Sequence, residues 1–320
     1  METLKAACNA MATRFELVLH GESVISLRAA AEEAIHEIER LHAQLSLYSP
    51  ASEVSSINAR AARQAVPVEP RLFALLQRAQ QIHRATEGAF DITVAPLIRC
   101  WGFMGGGGAL PTPAQLAEAR AKVGMDRIIL DEGRSTIRFA SEGMMIDLGS
   151  IGKGYALEVA AETLAEAGVQ NALLHGGTST VCAMGTPVGA ETWKVAIDAP
   201  PRIRPDETVP SEPNRPLAIV ALKDEALSVS GVHGKCFSSD GKIYGHVIDP
   251  RTGIPTQSAL LAAVALPSPT ETDAYSTALL IGGMPQHTRI AGLRAGMRTL
   301  VVGEKSGRFI VAGTGIPFTA

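Results

Sequence analysis

Hydrophobic residues recur along the chain at spacings that separate helices from strands. Residues 24–45 carry Leu, Ile and Ala three or four positions apart, with Glu and Arg between them, which predicts a long amphipathic helix. Residues 11–20 alternate instead between apolar and polar, which predicts a strand. The same tests predict four more helices: one starts after Pro70, one starts at Thr112, and two cover 152–167 and 271–281. They also predict seven more strands, at 126–131, 135–139, 171–175, 192–197, 217–222, 261–266 and 298–302.

Three segments break these patterns. Residues 45–58 are rich in Ser, Pro and Asn, which predicts a loop. Residues 101–108 end in four consecutive glycines, which predicts a mobile loop because glycine loses much backbone freedom when it is fixed. Residues 200–216 hold six prolines and predict an excursion loop. Because helices are interspersed irregularly among strands, the order of elements predicts an α+β fold.

Composition narrows the classes of function. The chain has 320 residues, of which 46% are hydrophobic and 19% charged, so it can bury a core and is not a disordered protein. Lys and Arg number 29 against 32 Asp and Glu, and aromatic residues make up 4%, which argues against a nucleic-acid partner.

The sequence also bears on location. No apolar run approaches the roughly 20 residues that a spanning helix needs, so we expect no membrane span. No signal peptide or lipoprotein cleavage site is visible at the N-terminus, which predicts a cytoplasmic protein. A periplasmic location is the alternative if a signal precedes these residues in the natural protein.

One candidate for ligand binding is the glycine-rich segment 147–155, DLGSIGKGY. We expect a strand at Met144–Asp147 to run through it into a helix. Glycines at such a turn let the backbone approach a ligand, helix amides favour an anion, and Lys153 adds a positive charge. The spacing differs from that of a phosphate-binding Walker A loop, and a plain turn with a solvated lysine fits equally well.

A second candidate is the pair Asp273 and Thr277, which lie four apart and so share one helix face. Their oxygens could ligate a hard cation such as Mg²⁺. The alternative is structural, because Thr270 and Asp273 also have the spacing of a helix capping box.

His246 and Asp91 are the remaining candidates. A histidine can act as a general base near neutral pH, although a lone histidine on a predicted strand also fits a structural role. Asp91 lies in the apolar run GAFDITVAPL and needs a partner, which could be a ligand hydroxyl or nearby backbone amides.

The order of seven segments resembles the ApbE-type family of FAD:protein FMN transferases. The segments span about Met11 to Gly283 and are MAT (11–13), LSLYSPASEVSSIN, GAFDITVAPLIRCWGF, DLGSIGKGYALE, SVSG, HVIDPRTG and DAYSTALLIGG. The resemblance implies an α+β fold of mixed, largely antiparallel sheets with packed helices. It implies a single domain, residues 1–320, in which two interleaved lobes enclose FAD.

The resemblance also implies a reaction. An enzyme of this kind uses Mg²⁺, cleaves the pyrophosphate of FAD, passes FMN to a Thr or Ser hydroxyl of a separate acceptor protein and releases AMP. Two alternatives remain open at this point. One is a FAD pyrophosphatase that makes FMN and AMP with water as acceptor, and the other is a non-catalytic flavin-binding protein.

By the same resemblance, specific residues receive roles. His246 is the base for the acceptor hydroxyl, and the metal ligands are Ser150 through its carbonyl, Asp273 and Thr277. The residues expected to contact FAD are Met11, Tyr48, Ala89, Phe90, Asp91, Asp147, Lys153 and Ile248.

Three features depart from the family pattern. Thr178 stands where relatives usually carry Asp or Asn, so substrate recognition is expected to differ there. The segment VSGVHGK brings His233 and Lys235 near the expected site. The proline-rich loop 200–216 is longer than usual and is expected to shape the acceptor surface.

Overall fold

The computed structural model describes residues 1–201, 203–204, 207–208, 216–232, 234–239 and 241–318. The helices of this described part are α1 (Val24–Leu45), α2 (Glu53–Arg60), α3 (Pro70–Ala85), α4 (Ala95–Cys100), α5 (Pro113–Arg120), α6 (Gly152–Glu166) and α7 (Pro269–Ala291), with a 3₁₀ turn at Met125–Arg127. Its strands are β1 (Glu2–Ala10), β2 (Thr13–Gly21), β3 (Val66–Pro67), β4 (Ile128–Asp131), β5 (Thr136–Phe139), β6 (Asn171–Gly176), β7 (Thr180–Met184), β8 (Trp193–Ile197), β9 (Ile203–Arg204), β10 (Glu207–Thr208), β11 (Ala218–Leu222), β12 (Glu225–Gly231), β13 (Cys236–Ser239), β14 (Lys242–Gly245), β15 (Ile248–Asp249), β16 (Ile254–Pro255), β17 (Leu261–Leu266), β18 (Arg298–Lys305) and β19 (Arg308–Thr314).

One large antiparallel sheet organises these elements. Its strand order is β1-β2-β6-β7-β12-β17-β18-β19. Helices α1, α6 and α7 pack beside one another on one face: α1 contacts β1 and β2, α6 contacts β6 and β7, and α7 contacts β12, β17 and β18. The α+β fold with largely antiparallel sheets is therefore confirmed.

The central strand β17 shows how the sheet is buried on both faces. All six residues of its sequence LAAVAL are buried. Ala262, Val264 and Leu266 belong to the core under the helices. The alternate residues Leu261, Ala263 and Ala265 belong to a second core, covered by the β8–β11 hairpin. Because side chains of a strand alternate between faces, a continuous apolar run is the pattern of a strand between two cores.

Several sequence predictions need correction. The predicted loop 45–58 contains the start of α2, which the side chain of Ser52 caps by accepting from the Ser55 amide. The predicted strand Met144–Asp147 has no strand pairing; there the Ile146 amide donates to Asn58 and the Asp147 amide to the Ile92 carbonyl. At 144–147, hydrogen bonds to a side chain and to a loop carbonyl therefore take the place of a sheet ladder.

Helix α7 begins earlier and ends later than the predicted 271–281. Ser268 is its N-cap, accepting from the Glu271 amide, so the predicted Thr270–Asp273 capping box is wrong. The helical backbone is interrupted at Gly283, which has φ 57°. Glycine tolerates this conformation, and helical residues resume after it.

The excursion loop 200–216 falls mostly outside the described residues; within it, Ile203–Arg204 and Glu207–Thr208 pair as short antiparallel strands. The base of the glycine loop 101–108 is closed by a hydrogen bond from the Ala109 amide to the Trp101 carbonyl, and its mobility stays a prediction. No helix in the described part of the chain is long and apolar enough to cross a membrane.

Candidate active site

A cleft of about 690 Å³ opens where the N-terminal turns of α6 and α7 meet the neighbouring ends of β12 and β17. Helix α7 presents one face to it through Asp273, Thr277 and Ile281, which follow one another at intervals of four. The other walls come from the 147–153 turn, the β6–β7 turn, the end of β8 and the segment 246–250.

Most residues that the sequence singled out converge on this cleft, although they are far apart along the chain. Those lining it are Ala89, Asp91, Asp147, Ser150, Lys153, His246, Ile248, Asp273 and Thr277. Three others do not belong to its lining. Tyr48 is exposed, Met11 lies in the β1–β2 turn, and the Phe90 ring is fully buried in the core.

The centre of the cleft is the junction of Lys153 on α6 with Asp273 on α7. Asp273 is only 3% exposed, and its Oδ1 lies 3.8 Å from Lys153 Nζ. Its Oδ2 accepts a hydrogen bond from the Gly154 amide at 3.0 Å. The N-terminus of α6 thus meets a carboxylate from α7, which its amide and positive dipole end stabilise, and Lys153 adds a positive charge beside it.

Hydroxyl groups on β7, β12 and α7 surround this junction. Thr180 Oγ1 lies 3.5 Å from Asp273 Oδ1, and Ser228 Oγ lies 3.2 Å from Thr180 and 2.8 Å from Thr272. Ser230 Oγ lies 3.4 Å from Thr277 Oγ1. Sequence reasoning missed these residues, although the alternation of Ser with Val in SVS (228–230) is a signal that could have indicated a polar strand face.

The oxygens at this junction suit a hard cation. Among the described residues no three His, Cys, Asp or Glu side chains gather as a metal site, so a cation here must use mixed donors. Asp273 provides one buried carboxylate, Thr277 a hydroxyl, and Ser150 a carbonyl that takes part in no backbone hydrogen bond among the described residues. One carboxylate with other oxygens, water and substrate phosphates is the ligand set that Mg²⁺ usually accepts.

His246 lies on the opposite wall, in the connection between β14 and β15. It is half-buried, and its Nδ1 lies 3.3 Å from the Lys235 carbonyl oxygen. Because a carbonyl only accepts, Nδ1 carries the proton and Nε2 keeps a lone pair. Burial, together with the charges of Lys235 and Lys153, lowers the pKa of His246, against a smaller opposing effect of this hydrogen bond.

Asp147 closes the glycine-rich turn. Its Oδ1 accepts from the Gly149 amide at 2.8 Å, which bends the chain into α6. Burial raises the pKa of Asp147, more than the Gly149 amide and Lys153 lower it. Burial and the charge of Asp147 also raise the pKa of Tyr48.

Asp91 is hydrogen-bonded to backbone amides, which is one of the two kinds of partner that the sequence left open. It accepts from the Thr93 amide at 2.7 Å and from the Met125 amide at 3.3 Å, and its Oδ2 lies 3.5 Å from His83 Nδ1. Burial raises the pKa of Asp91, although the hydrogen bonds and His83 oppose the shift. The same His83 nitrogen donates to the Phe90 carbonyl at 2.9 Å.

The departures from the family pattern lie around the same cleft. Thr178 is exposed and lines it, next to Ser179 in the β6–β7 turn. The carbonyl oxygen of Lys235 accepts a hydrogen bond from His246. His233 lies outside the described residues. A buried carboxylate, a lysine and a neutral histidine in one cleft define a protein suited to bind an anionic ligand and move a proton beside it.

Comparison with known proteins identifies the family. The chain matches the ApbE family over residues 11–301. It is 31% identical over 280 residues to the FAD:protein FMN transferase of Haemophilus influenzae, covering 83% of this chain and 77% of that protein. It is 30% identical over 305 residues to the enzyme of the same name from Klebsiella pneumoniae, covering 88% and 83%. This chain therefore belongs to the ApbE family.

Solved structures agree with this assignment. The flavinyl transferase ApbE of Pseudomonas stutzeri is similar with a TM-score of 0.82 and 26% identity, covering 98% of this chain and 95% of that one. The ApbE protein of Thermotoga maritima is similar with a TM-score of 0.83 and 25% identity, covering 94% of each chain. The resemblance that the seven sequence segments indicated is confirmed.

Proposed function

We propose that this chain transfers FMN from FAD to a Thr or Ser hydroxyl of an acceptor protein, with Mg²⁺ as cofactor, and releases AMP. Membership of the ApbE family and the names of its relatives support flavin transfer. The observation that carries the proposal is the shared cleft, in which buried Asp273 meets Lys153 and faces His246.

The reaction balances with these groups. The acceptor hydroxyl oxygen attacks the phosphorus of the FMN half of FAD, and a new phosphoester bond forms. The phosphoanhydride P–O bond breaks, and AMP leaves with the electron pair. The hydroxyl proton passes to His246 Nε2, whose lone pair is free because Nδ1 faces the Lys235 carbonyl.

The pyrophosphate belongs at the α6–α7 junction. Phosphoryl transfer depends mainly on positioning and on neutralising phosphate charge. Lys153 supplies a positive charge, half-buried and therefore less screened than on an open surface, and the helix amides add partial charge.

Magnesium fits the same place. The Ser150 carbonyl, the Asp273 carboxylate and the Thr277 hydroxyl would hold it. When bound, the ion supplies charge that stabilises the phosphate oxygens during attack.

The remaining cleft residues suit the organic parts of FAD. Ala89 and Ile248 are buried apolar lining, and Asp147 and Asp91 are acceptors. Tyr48 does not line the cleft but is exposed, and we retain it as an aromatic ring that FAD could contact. We retain Met11 as a rim contact, since its turn lies across from the β6–β7 turn: a Cβ on Gly177 would lie 2.2 Å from Thr13 Oγ1. Phe90 can contact FAD only through its main chain.

Purified protein incubated with FAD and Mg²⁺, with and without acceptor, tests the proposal. We expect AMP to form with acceptor, and Asp273→Ala to abolish it. Rapid multiple-turnover release of AMP and FMN without acceptor would instead show a FAD pyrophosphatase. FAD binding with no AMP under any condition would show a non-catalytic flavin-binding protein, and unchanged turnover of Asp273→Ala would contradict the metal assignment.

A further inference from the structure

The N-terminal turns of α6 and α7 meet at Gly154. A Cβ atom on this residue would lie 2.2 Å from the Pro269 carbonyl oxygen and 2.8 Å from Asp273 Cβ. Both distances are below the 3.0 Å under which real Cβ contacts are essentially never seen. Since backbone and a Cβ cannot swing aside as a long side chain can, any larger residue must push the two helices apart.

The Gly154 amide has an unusual partner. Gly154 is the third residue of α6, and the amides in the first turn of a helix have no carbonyl of the same helix to donate to. The Gly154 amide donates to Asp273 Oδ2 instead. The N-cap of α6, Ile151, makes no side-chain capping bond, so Asp273 caps α6 from the neighbouring helix. This bond orients the Asp273 carboxylate. The Ser150 carbonyl precedes the N-cap and therefore lies outside the helical ladder.

The crossing is held at a second point one helical turn along α6. Glu158 accepts hydrogen bonds from the Ser268 hydroxyl and from the Thr270 amide at the start of α7. Arg78 donates to both Glu158 and Ser268. Because this clamp fixes the start of α7, a side chain at position 154 would strain it rather than move freely past it.

We propose that Gly154 is a positioning residue for the cation of the transfer reaction. Its missing side chain permits the helix crossing that brings the Asp273 carboxylate to the same cleft as Ser150, and its amide orients that carboxylate. The inference rests on the proposed function and adds a residue that touches neither metal nor substrate through a side chain.

Gly154→Ala tests the inference, with Gly292→Ala as matched control. Gly292 caps the far end of α7 at φ −85°, and its added Cβ would meet its nearest atoms at an ordinary 3.5 Å. The probe is Mn²⁺, which accepts similar oxygen ligands and reports its bound fraction by electron paramagnetic resonance. With FAD present, we expect Gly154→Ala to weaken Mn²⁺ binding by about tenfold or more, the usual effect of disturbing the support of a metal ligand.

The activity assay adds a second readout. Gly154→Ala should raise the Mg²⁺ concentration that gives half-maximal AMP release, with a smaller change in KM for FAD. Loss of folded protein alone would lower kcat and leave that concentration unmoved. Gly292→Ala should behave as wild type in both assays.

Each outcome either supports or overturns the positioning role of Gly154. Equal Mn²⁺ affinity of wild type and folded Gly154→Ala overturns the proposal, as does a wild type that binds no Mn²⁺. Weakened binding in a protein that forms no AMP supports the positioning role and overturns the proposed transfer. If Gly154→Ala does not fold, Ser268→Ala loosens the same crossing at its clamp; it should weaken Mn²⁺ binding in the same direction, and unchanged affinity overturns the proposal.

Discussion

His246 is the residue whose surroundings fit one task most closely. The Lys235 carbonyl accepts a hydrogen bond from Nδ1–H, and burial favours the neutral ring by lowering its pKa. A neutral imidazole with a free Nε2 lone pair is the form that accepts a proton from an attacking hydroxyl.

The first prediction removes this base. His246→Gln should leave FAD affinity close to that of wild type, since the pyrophosphate is proposed to bind at α6 and α7. FMN transfer should slow by roughly 10²–10⁴-fold, the usual contribution of a general base. Fluorescence titration with FAD and the initial rate of AMP release measure the two effects, and an undiminished rate would remove His246 as base.

The second prediction concerns pH. Transfer needs neutral His246, so the rate should fall as pH falls through the pKa of this group. Because burial lowers that pKa below the ordinary 6.5, the acid limb of the kcat profile should lie below pH 6.5. The positive charge of Lys235 contributes to the lowering, so Lys235→Gln should move the limb to higher pH. A limb above pH 6.5 in the wild type would contradict the assignment.

At the scale of residues, sequence reasoning found the charged groups and missed their supports. Asp273, Lys153 and His246 were singled out as candidates by their chemistry, but structural roles fitted them as well, and only the family resemblance gave them functional roles. Thr180 and Ser228 were not singled out, because a hydroxyl is equally common on any strand. Tyr48 and Met11 came from the family resemblance alone, and their contacts with FAD stay predictions.

Among the elements, the pair α6 and α7 determines the site. Each helix brings one charged residue, Lys153 or Asp273, and the Glu158 clamp joins their N-terminal halves. Burial raises the pKa of Glu158, but hydrogen bonds from Arg78, Ser268 and Thr270 outweigh this and lower it overall.

A third prediction follows for this clamp. Glu158→Gln should lower the free energy of unfolding by about 2 kcal/mol near neutral pH, the usual value of hydrogen bonds to a charged group. A carboxylate whose pKa is lower in the folded than in the unfolded protein stabilises the fold fully at pH values above its unfolded pKa. That stabilisation is lost as the pH falls through the folded pKa. The difference between wild type and variant should therefore shrink below the ordinary Glu pKa of 4.5. Denaturant titrations at several pH values measure it, and a pH-independent difference would contradict the account.

Element positions followed from periodicity where the pattern was long. Helix α1 was predicted at its observed bounds, 24–45, because its apolar stripe runs through six turns. Met144–Asp147 looked like a strand because it is apolar, yet no strand in the described part of the chain pairs with it. Pairing depends on distant partners, which local apolarity does not reveal.

For the whole molecule, the central sheet stands between two cores, and the second depends on the β8–β11 hairpin. Leu222 on β11 is fully buried there, whereas Ile219 on the same strand is 52% exposed. The end of β8 also forms a wall of the cleft. Stability and the shape of the site are therefore linked through this hairpin.

The fourth prediction tests that link. Leu222→Ala should lower the free energy of unfolding by about 2–5 kcal/mol, because it leaves a cavity in a closed core. Ile219→Ala should change it by less than about 0.5 kcal/mol, as surface substitutions usually do. Urea unfolding of both variants gives the comparison, and equal effects would show that the hairpin does not close a core.

Periodicity and composition could not predict which segments of the chain come together to form the cleft. Residues near 91, 150, 246 and 273 lie on separate segments, and antiparallel pairing of β12 with both β7 and β17 helps bring them together. No local pattern encodes which strands become neighbours. Only the order of motifs shared with the ApbE family predicted the convergence, and the division into a single domain of two lobes stays a prediction.

The most direct test of the account is to look for covalently attached flavin. A protein extract from cells lacking this chain is incubated with the purified protein, FAD and Mg²⁺, separated under denaturing conditions and viewed by flavin fluorescence. We expect a fluorescent acceptor that carries FMN on Thr or Ser by mass spectrometry and that is absent with Asp273→Ala. AMP and free FMN with no flavin on any protein would contradict the central claim.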